Sequence, residues 1–164
     1  MTKRTKQYIK DNFPYFGSIT RKYRYKEIIK DKAWSLLSDY VRCRDFVKYG
    51  TCVATGNKIT DWRDTDAGHF YTMAGNGALL GFSDMNVHAQ SKISNKLSSA
   101  ADGANFEREL IRRYGKGIIA SLDTMKHKTV KADDYFFIGK IAEIYTLFRQ
   151  LKKDYPNCDY PKYI

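Results

Sequence analysis

From Tyr25 to Tyr49 the apolar residues Ile28, Ile29, Ala33, Leu36, Leu37, Tyr40, Val41 and Phe46 recur at helical spacing, so this stretch reads as one amphipathic helix. Pro14 and Gly17 interrupt the chain before it. Beyond it, Gly50 and Gly56 bracket Thr51-Cys52-Val53-Ala54-Thr55, and the run from Asn57 to Trp62 alternates polar and apolar positions, which predicts a hairpin within residues 51–70. A glycine-rich loop follows from Ala74 to Asp84, where Gly75, Gly77 and Gly81 permit turns and close backbone approach. No Gly-Lys-Ser/Thr follows these glycines, which excludes a P-loop. Three further helices are predicted: one beginning near Val87, one through Asn105–Leu122 with Gly115 and Gly117 as a break, and one through Asp133–Tyr155. No internal repeat or low-complexity tract is visible.

Composition narrows this outline. A chain of 164 residues that is 43% hydrophobic suits one domain with a true core, placed at residues 25–164 behind a basic, aromatic arm at residues 1–24. The net charge of +11 and the pI near 9.5 favour an anionic polymer as partner, nucleic acid above a membrane surface. Residues 1–32 hold ten Lys or Arg against three acids, and Tyr8, Phe13, Tyr15, Phe16 and Tyr23 interleave with them. Basic groups such as Arg21, Lys22 and Arg24 would neutralise phosphates while aromatic faces stack on exposed bases; the plainer reading is a tail packed by its own tyrosines. No apolar run is long enough for a membrane span and the first residues lack the apolar core of a secretion signal, so the cytoplasm is the expected compartment. Cys43, Cys52 and Cys158 form no Cys-x-x-Cys pair, which suits reduced thiols and gives neither a disulfide framework nor a complete zinc site.

The candidate chemistry centres on Asp64-Thr65-Asp66-Ala67-Gly68-His69-Phe70. A histidine beside carboxylates can be a core residue, a metal ligand or a general base, and the local sequence does not choose among them. Asn86 and Asn95 follow at spacings of 17 and 9 residues. A strand hairpin, a loop and a short helix in that order outline a ββα-metal nuclease core, an α+β fold with flanking helices. Phosphodiester hydrolysis requires a base to deprotonate water, a cation to stabilise the developing charge, and a group that holds the base in one tautomer. His69 suits the base, because an imidazole with an ordinary pKa of about 6.5 is mostly neutral near pH 7. Asp66 and the Asn95 amide oxygen are hard ligands of the kind Mg²⁺ or Mn²⁺ takes, with waters completing the shell. His88 competes for the ion. On a helix continuous from residue 88 to residue 95 the two would share a face but stand about 10 Å apart, which makes Asn95 the ligand and His88 a second ligand or a phosphate contact. His127, in a basic stretch, reads as a surface residue. Taken singly, each residue also has an ordinary structural reading; taken together on a basic chain, they point to a nuclease site.

The runs Ala33-Trp34, Asp39-Tyr40-Val41-Arg42, Arg44-Asp45, Asp66-Ala67-Gly68-His69-Phe70, Asn86-Val87-His88-Ala89-Gln90 and Asn95-Lys96-Leu97-Ser98 together resemble the NinG (Rap) family of phage recombination nucleases, from about Ala33 to Asp154. The resemblance implies an HNH-like endonuclease that cuts branched recombination intermediates with a metal ion inside a bacterial host. It makes His69 the base, Asn86 the orienting residue, and Asp66 with Asn95 the metal site, with His88 nearby. It also implies two Cys-x-x-Cys pairs holding a structural zinc. Here the corresponding positions are Cys52 and Thr55, then Ser91 and Ser94, so three of the four thiolates are absent and no structural zinc is expected. That corner must then be held by packing, for which Trp62, Phe70, Phe82, Ile93 and Leu97 are candidates.

The leading expectation is therefore a Mg²⁺- or Mn²⁺-dependent endonuclease specific for branched or junction DNA, with Lys92, Lys96, Arg108, Arg112, Arg113 and the arm on backbone phosphates. The alternative is a non-catalytic DNA-binding protein on a decayed nuclease scaffold, motivated by the missing cysteines. A third is an RNA-binding or RNA-cleaving protein that uses the aromatic arm. Symmetric cutting of a four-way junction needs two active sites, which makes a homodimer an expectation of the first reading.

Overall fold

The computed structural model describes residues 25–164 apart from Gly75 and Ser98; the arm with Arg21, Lys22 and Arg24 lies outside the described residues. Helix α1, Tyr25–Lys48, buries Ile29, Ala33, Leu36, Leu37, Tyr40 and Val41 along one stripe. That stripe meets α6, Asp134–Asp154, which buries Phe137, Ile141, Ile144, Phe148 and Leu151 at alternating spacings of four and three. Each such side chain contributes about 1.5–3 kcal/mol relative to exposure, so the pair forms the main core. Asp133 caps α6 by accepting from the backbone amides of Tyr135 and Phe136, and the Tyr160 hydroxyl donates to the Leu151 and Tyr155 carbonyls at its far end. The α1 and α6 helices fall where the periodicity predicts them.

Between these helices in sequence lie a 3₁₀ turn at Trp62–Asp64, strand β1 at Thr65–His69, a short helix α2 at Gly77–Gly81, strand β2 at Val87–Ser91, and a short helix α3 at Lys92–Lys96. Then come α4, Ala100–Tyr114, and α5, Ile118–Lys126. Gly115 ends α4 with φ +88°, a left-handed conformation that a side chain would strain, so the break falls where the glycines predict it. Among the described residues no helix is long and apolar enough to cross a membrane.

The described residues are mixed α+β with one two-stranded antiparallel sheet, and two local expectations are corrected. The hairpin expected within residues 51–70 does not form. Residues 51–58 close a turn through a single bridge between Thr51 and Lys58, and Asp61 then accepts from the Arg63 amide to start the 3₁₀ turn, which ends any continuing strand. Strand β1 pairs instead with β2, in register Thr65↔Ser91 through His69↔Val87. The helix expected from Val87 begins at Lys92, because Val87 and Ala89 face one side of the sheet while His88 and Gln90 face the other, a period of two. Ser91 caps that helix by accepting from the Ser94 amide. His88 and Asn95 therefore do not share a helix.

A second apolar cluster of Cys52, Val53, Ala54, Leu80, Phe106, Leu110, Ile118 and Leu122 packs the far side of the sheet against α4 and α5. The two sides are joined by buried charge. The Asp45 carboxylate, at the end of α1, accepts from Arg44 Nε at 2.8 Å, Arg113 Nη1 at 3.0 Å and the Ala89 backbone amide at 2.9 Å. His88, fully buried, packs against it with Nδ1 2.9 Å from Arg44 Nη2 and 3.0 Å from Asp45 Oδ2, and with Nε2 3.2 Å from the Met85 carbonyl. Burial holds the His88 pKa below its ordinary value against the pull of Asp45, with the Arg44 and Arg113 guanidiniums acting with burial. Nε2–H donates to the Met85 carbonyl, while Nδ1 stands between the Arg44 guanidinium and the Asp45 carboxylate. The Asp45 carboxyl is held far below the usual carboxylate range because the cations and hydrogen bonds around it outweigh the cost of burial. Arg113, expected on DNA phosphates, has a fully buried side chain committed to Asp45 and Glu109.

Asp45→Ala leaves two guanidiniums without their shared counter-ion and should cost about 3–5 kcal/mol in urea unfolding; a loss under about 1 kcal/mol would show the network to be solvated. The pH dependence of stability follows from the signs. Unfolded His88 takes a proton below about pH 6.5 that the folded ring refuses, so stability should begin to fall there. A second loss should follow below about pH 3.8, where unfolded Asp45 binds a proton that the folded carboxylate does not. Urea midpoints measured between pH 8 and pH 3 check both, and a flat profile between pH 7 and pH 5 would contradict the first.

Candidate active site

His69 ends β1, where the chain turns into the loop that carries α2. Its ring stacks on Trp34 of α1, with centroids 5.0 Å apart and planes 8° from parallel. Its Nε2 lies 3.0 Å from the Gly81 carbonyl. A carbonyl oxygen can only accept, so Nε2 carries the proton and Nδ1 is the unprotonated nitrogen. No hydrogen bond engages Nδ1 among the described residues. Burial lowers the His69 pKa below its ordinary value, and the bond to Gly81 acts in the opposite direction without cancelling it.

The loop that supplies Gly81 is fixed by Asn86. Its buried carboxamide accepts from the Tyr71 amide at 2.9 Å and donates to the Tyr71 and Leu80 carbonyls at 2.9 and 3.2 Å. The Asn86 carbonyl also accepts from the Phe70 amide. Both sides of the loop are thereby tied to one residue: the chain just after His69, and the residue just before Gly81. Outside it, the Tyr71 hydroxyl donates to Asp123 of α5 at 2.8 Å, and desolvation together with that bond pushes the phenol up to about 12.

Asp66 and Asn95 meet across the sheet edge, where Asn95 Nδ2 donates to Asp66 Oδ2 at 3.1 Å. Asn95 lines two adjoining clefts. One, of about 310 Å³, is shared with His69, Phe70, Met73 and Gln90. The other, of about 400 Å³, is shared with Trp34, Arg42, Thr65 and Asp66. The structure thus sets Asn95 between His69, in one cleft, and Asp66, in the other, with Asn86 holding the loop beyond His69. It does not bring His88 there: that ring faces α4, where it meets Phe106 and Tyr114, and both nitrogens are engaged in the buried network. His127 is exposed, as expected of a surface residue. Among the described residues no three His, Cys, Asp or Glu side chains converge on a metal-sized site.

Lys92 and Lys96 flank Asn95 on α3 and are exposed. Lys92 stands 3.9 Å from Asp64, an exposed pair worth little. Arg108 and Arg112 project from α4, where Arg112 is held by Glu109. Sequence reasoning missed Trp34, Gln90 and the Gly81 carbonyl. Only Trp34 and Gln90 left a trace, as members of runs that had no role attached.

The positions expected to lack zinc thiolates also converge. Cys52 Sγ accepts from the Ser91 amide at 3.2 Å and sits 3.9 Å from Ser94 Oγ, and the Ser91 and Ser94 hydroxyls are 2.9 Å apart. Burial opposes a Cys52 thiolate, yet hydrogen bonds from the Thr55 hydroxyl and nearby backbone amides outweigh it and lower the thiol pKa. A knot of one thiol and three hydroxyls occupies this corner. Trp62 and Phe82 are buried in the main core and Phe70 packs on the second cluster, whereas Ile93 and Leu97, expected to pack here, are 76% and 75% exposed. The reason is the Ser91 cap, which turns Ser94 inward and Ile93 outward.

The fold and this edge define a class: a small α+β protein with a histidine of fixed tautomer at the end of a two-stranded sheet, next to a carboxylate–carboxamide pair. The family described as the bacteriophage lambda NinG protein matches residues 18–154, most of the chain. The chain belongs to the NinG family, a family of phage recombination proteins. No curated protein and no solved structure matches it.

If the convergence is that of a thiolate site, Thr55→Cys, Ser91→Cys and Ser94→Cys made together should complete a tetrahedral Cys₄ centre. The triple variant should bind one equivalent of Co²⁺ with the absorption bands of tetrahedral thiolate ligation, and of Zn²⁺ with a raised Tm. Absence of those bands would show that the four positions do not converge in solution.

Proposed function

We propose that this protein is a metal-dependent, structure-specific DNA endonuclease acting on branched recombination intermediates, in which His69 is the general base. The observation that carries the reading is the tautomer of His69. With Nε2–H donating to the Gly81 carbonyl, the basic nitrogen is Nδ1 of a residue that lines a cleft. Stacking on Trp34 fixes the plane of the ring, and Asn86 fixes the carbonyl that fixes the tautomer. Asn86 in this reading is a positioning residue that acts through the backbone. A base pKa lowered by burial keeps the ring neutral at pH 7, ready to take a proton from water.

The donor set fits a hard cation. Asp66 keeps one carboxylate oxygen that Asn95 does not engage, and Asn95 Oδ1 accepts no hydrogen bond among the described residues. These two residues would hold Mg²⁺ or Mn²⁺, which when bound supplies charge stabilisation to the phosphate and the leaving oxygen. The hydroxyl knot around Cys52 does not fit zinc. Lys92 and Lys96, exposed on either side of Asn95, would position the phosphate backbone, and a net charge of +11 would draw the polyanion to the cleft. The order β1, β2, α3 is the order of a ββα-metal core and supports the same reading. A second reading, a DNA-binding protein without catalysis, draws on the missing thiolates around Cys52 and on there being, among the described residues, no three convergent His, Cys, Asp or Glu side chains.

Fork and four-way-junction DNA should be cut in Mg²⁺ by the wild type, with His69→Ala slower by about 10²–10⁴-fold. Equal cleavage by both removes His69 from the mechanism. Tight junction binding with no cleavage in Mg²⁺, Mn²⁺ or Ni²⁺ would favour the non-catalytic reading. The single-turnover rate should stay level from pH 8 to about 6.5 and fall below it, since the base form persists down to a pKa lower than the ordinary 6.5.

A further inference from the structure

Gly68 precedes the base, and its lack of a side chain is a matter of space. A Cβ placed on it would lie 1.9 Å from Gln90 Oε1, 3.0 Å from Gln90 Cδ and 3.1 Å from Asn95 Oδ1. The volume that a side chain at residue 68 would fill is held by the Gln90 carboxamide, reaching over from β2. Gln90 pairs with Asp66 in the sheet register, so it points to the same face as Asp66 and Gly68. It is 4% exposed, and its side chain makes no hydrogen bond among the described residues. Asn95 spends its Nδ2 on Asp66, which sets its Oδ1 toward Gly68.

Two carboxamide oxygens from different elements are thus within about 5 Å of each other, neither accepting a hydrogen bond, beside a carboxylate. Both carboxamides line the same cleft, where a ligand that offers positive charge or donors would meet their oxygens. Oxygens about 2.1 Å from Mg²⁺ sit about 3–4 Å apart, a spacing that small side-chain rotations would reach here. Amide oxygens with a carboxylate suit a hard cation and not zinc.

We infer that Gln90 is a cation ligand, its Oε1 in the space above Gly68 joining Asn95 Oδ1 to hold Mg²⁺ or Mn²⁺ beside Asp66. The inference rests on reading this cleft as cation-assisted, and it assigns the ligand that residue 68 does not provide.

Mn²⁺ titration of the full chain, followed by the electron paramagnetic resonance signal of the free ion, tests it without relying on cleavage. The wild type should bind one Mn²⁺. Gln90→Ala should weaken binding at least tenfold, and Gly68→Ala should do the same by evicting an intact Gln90. Gln90→Glu should bind at least as tightly as the wild type, and His69→Ala should leave binding unchanged; circular dichroism identifies any variant that fails to fold. A loss of less than tenfold in Gln90→Ala, a failure of Gln90→Glu to bind, or no Mn²⁺ bound by the wild type overturns the inference. Gln90-dependent binding without any DNA cleavage would uphold it while removing the nuclease reading. Cleavage lost in His69→Ala with Mn²⁺ binding unchanged in Gln90→Ala would remove the inference alone.

Discussion

The carboxylate of Asp45 is the contact on which the other parts depend. It is fully buried, and it receives a guanidinium from its own helix, another from α4 and a backbone amide from the middle of β2. The same Ala89 that donates to Asp45 accepts from the Val53 amide, so the turn at residues 51–58 is anchored through the same point. One short side chain therefore sets α1, β2, α4 and the turn against each other. A buried charge of this kind adds little net stability over an apolar replacement, and its value lies in the arrangement it enforces. Trp34 lies eleven residues earlier on α1, about three turns, and so on the same side of the helix. Fixing the end of α1 at β2 also fixes where Trp34 meets His69.

His69 is held by constraints that come from three directions. Trp34 supplies the plane of the ring, Gly81 the tautomer, and Asn86 the loop that carries Gly81. Arg42 adds a link from α1 to β1, donating to the Thr65 carbonyl at 3.2 Å and stacking its guanidinium over Trp62. None of these residues needs to touch a substrate for its loss to matter. An imidazole rotated by some tens of degrees would present Nδ1 elsewhere, and catalytic geometry tolerates about 10–20° of error.

The long helices were legible because their information is local. Ile29 to Val41 and Phe137 to Leu151 repeat at helical spacing, and Gly115 marks a stop. The sheet was not legible, because periodicity reports which face is buried and says nothing of the partner. Residues 57–62 alternate as well as any strand, yet it is the five residues Val87–Ser91, with a single β-branched member, that pair with β1. His69, Asp66 and Asn95 could be singled out by residue type and order, and Asn95 lines both the cleft of His69 and that of Asp66. Arg113 and Gln90 could not. A buried arginine looks like a surface arginine until its counter-ion, Asp45, is brought from 68 residues away. The role of Gln90 depends on an absent side chain at Gly68.

The corner around Cys52 shows how the fold separates structural from chemical demands. A zinc held by four thiolates contributes about 10 kcal/mol or more to folding, whereas each hydrogen bond among Cys52, Thr55, Ser91 and Ser94 contributes about 1 kcal/mol. The difference must come from elsewhere, and Val53, Ala54, Leu80, Phe106, Leu110, Ile118 and Leu122 supply apolar burial directly behind the knot. That packing and the hydrogen bonds of the knot are what the corner has in place of the thiolates. In the proposed reading a divalent cation belongs to the edge formed by Asp66, Gln90 and Asn95, apart from this corner, so its loss would alter the site without unfolding the elements that build it.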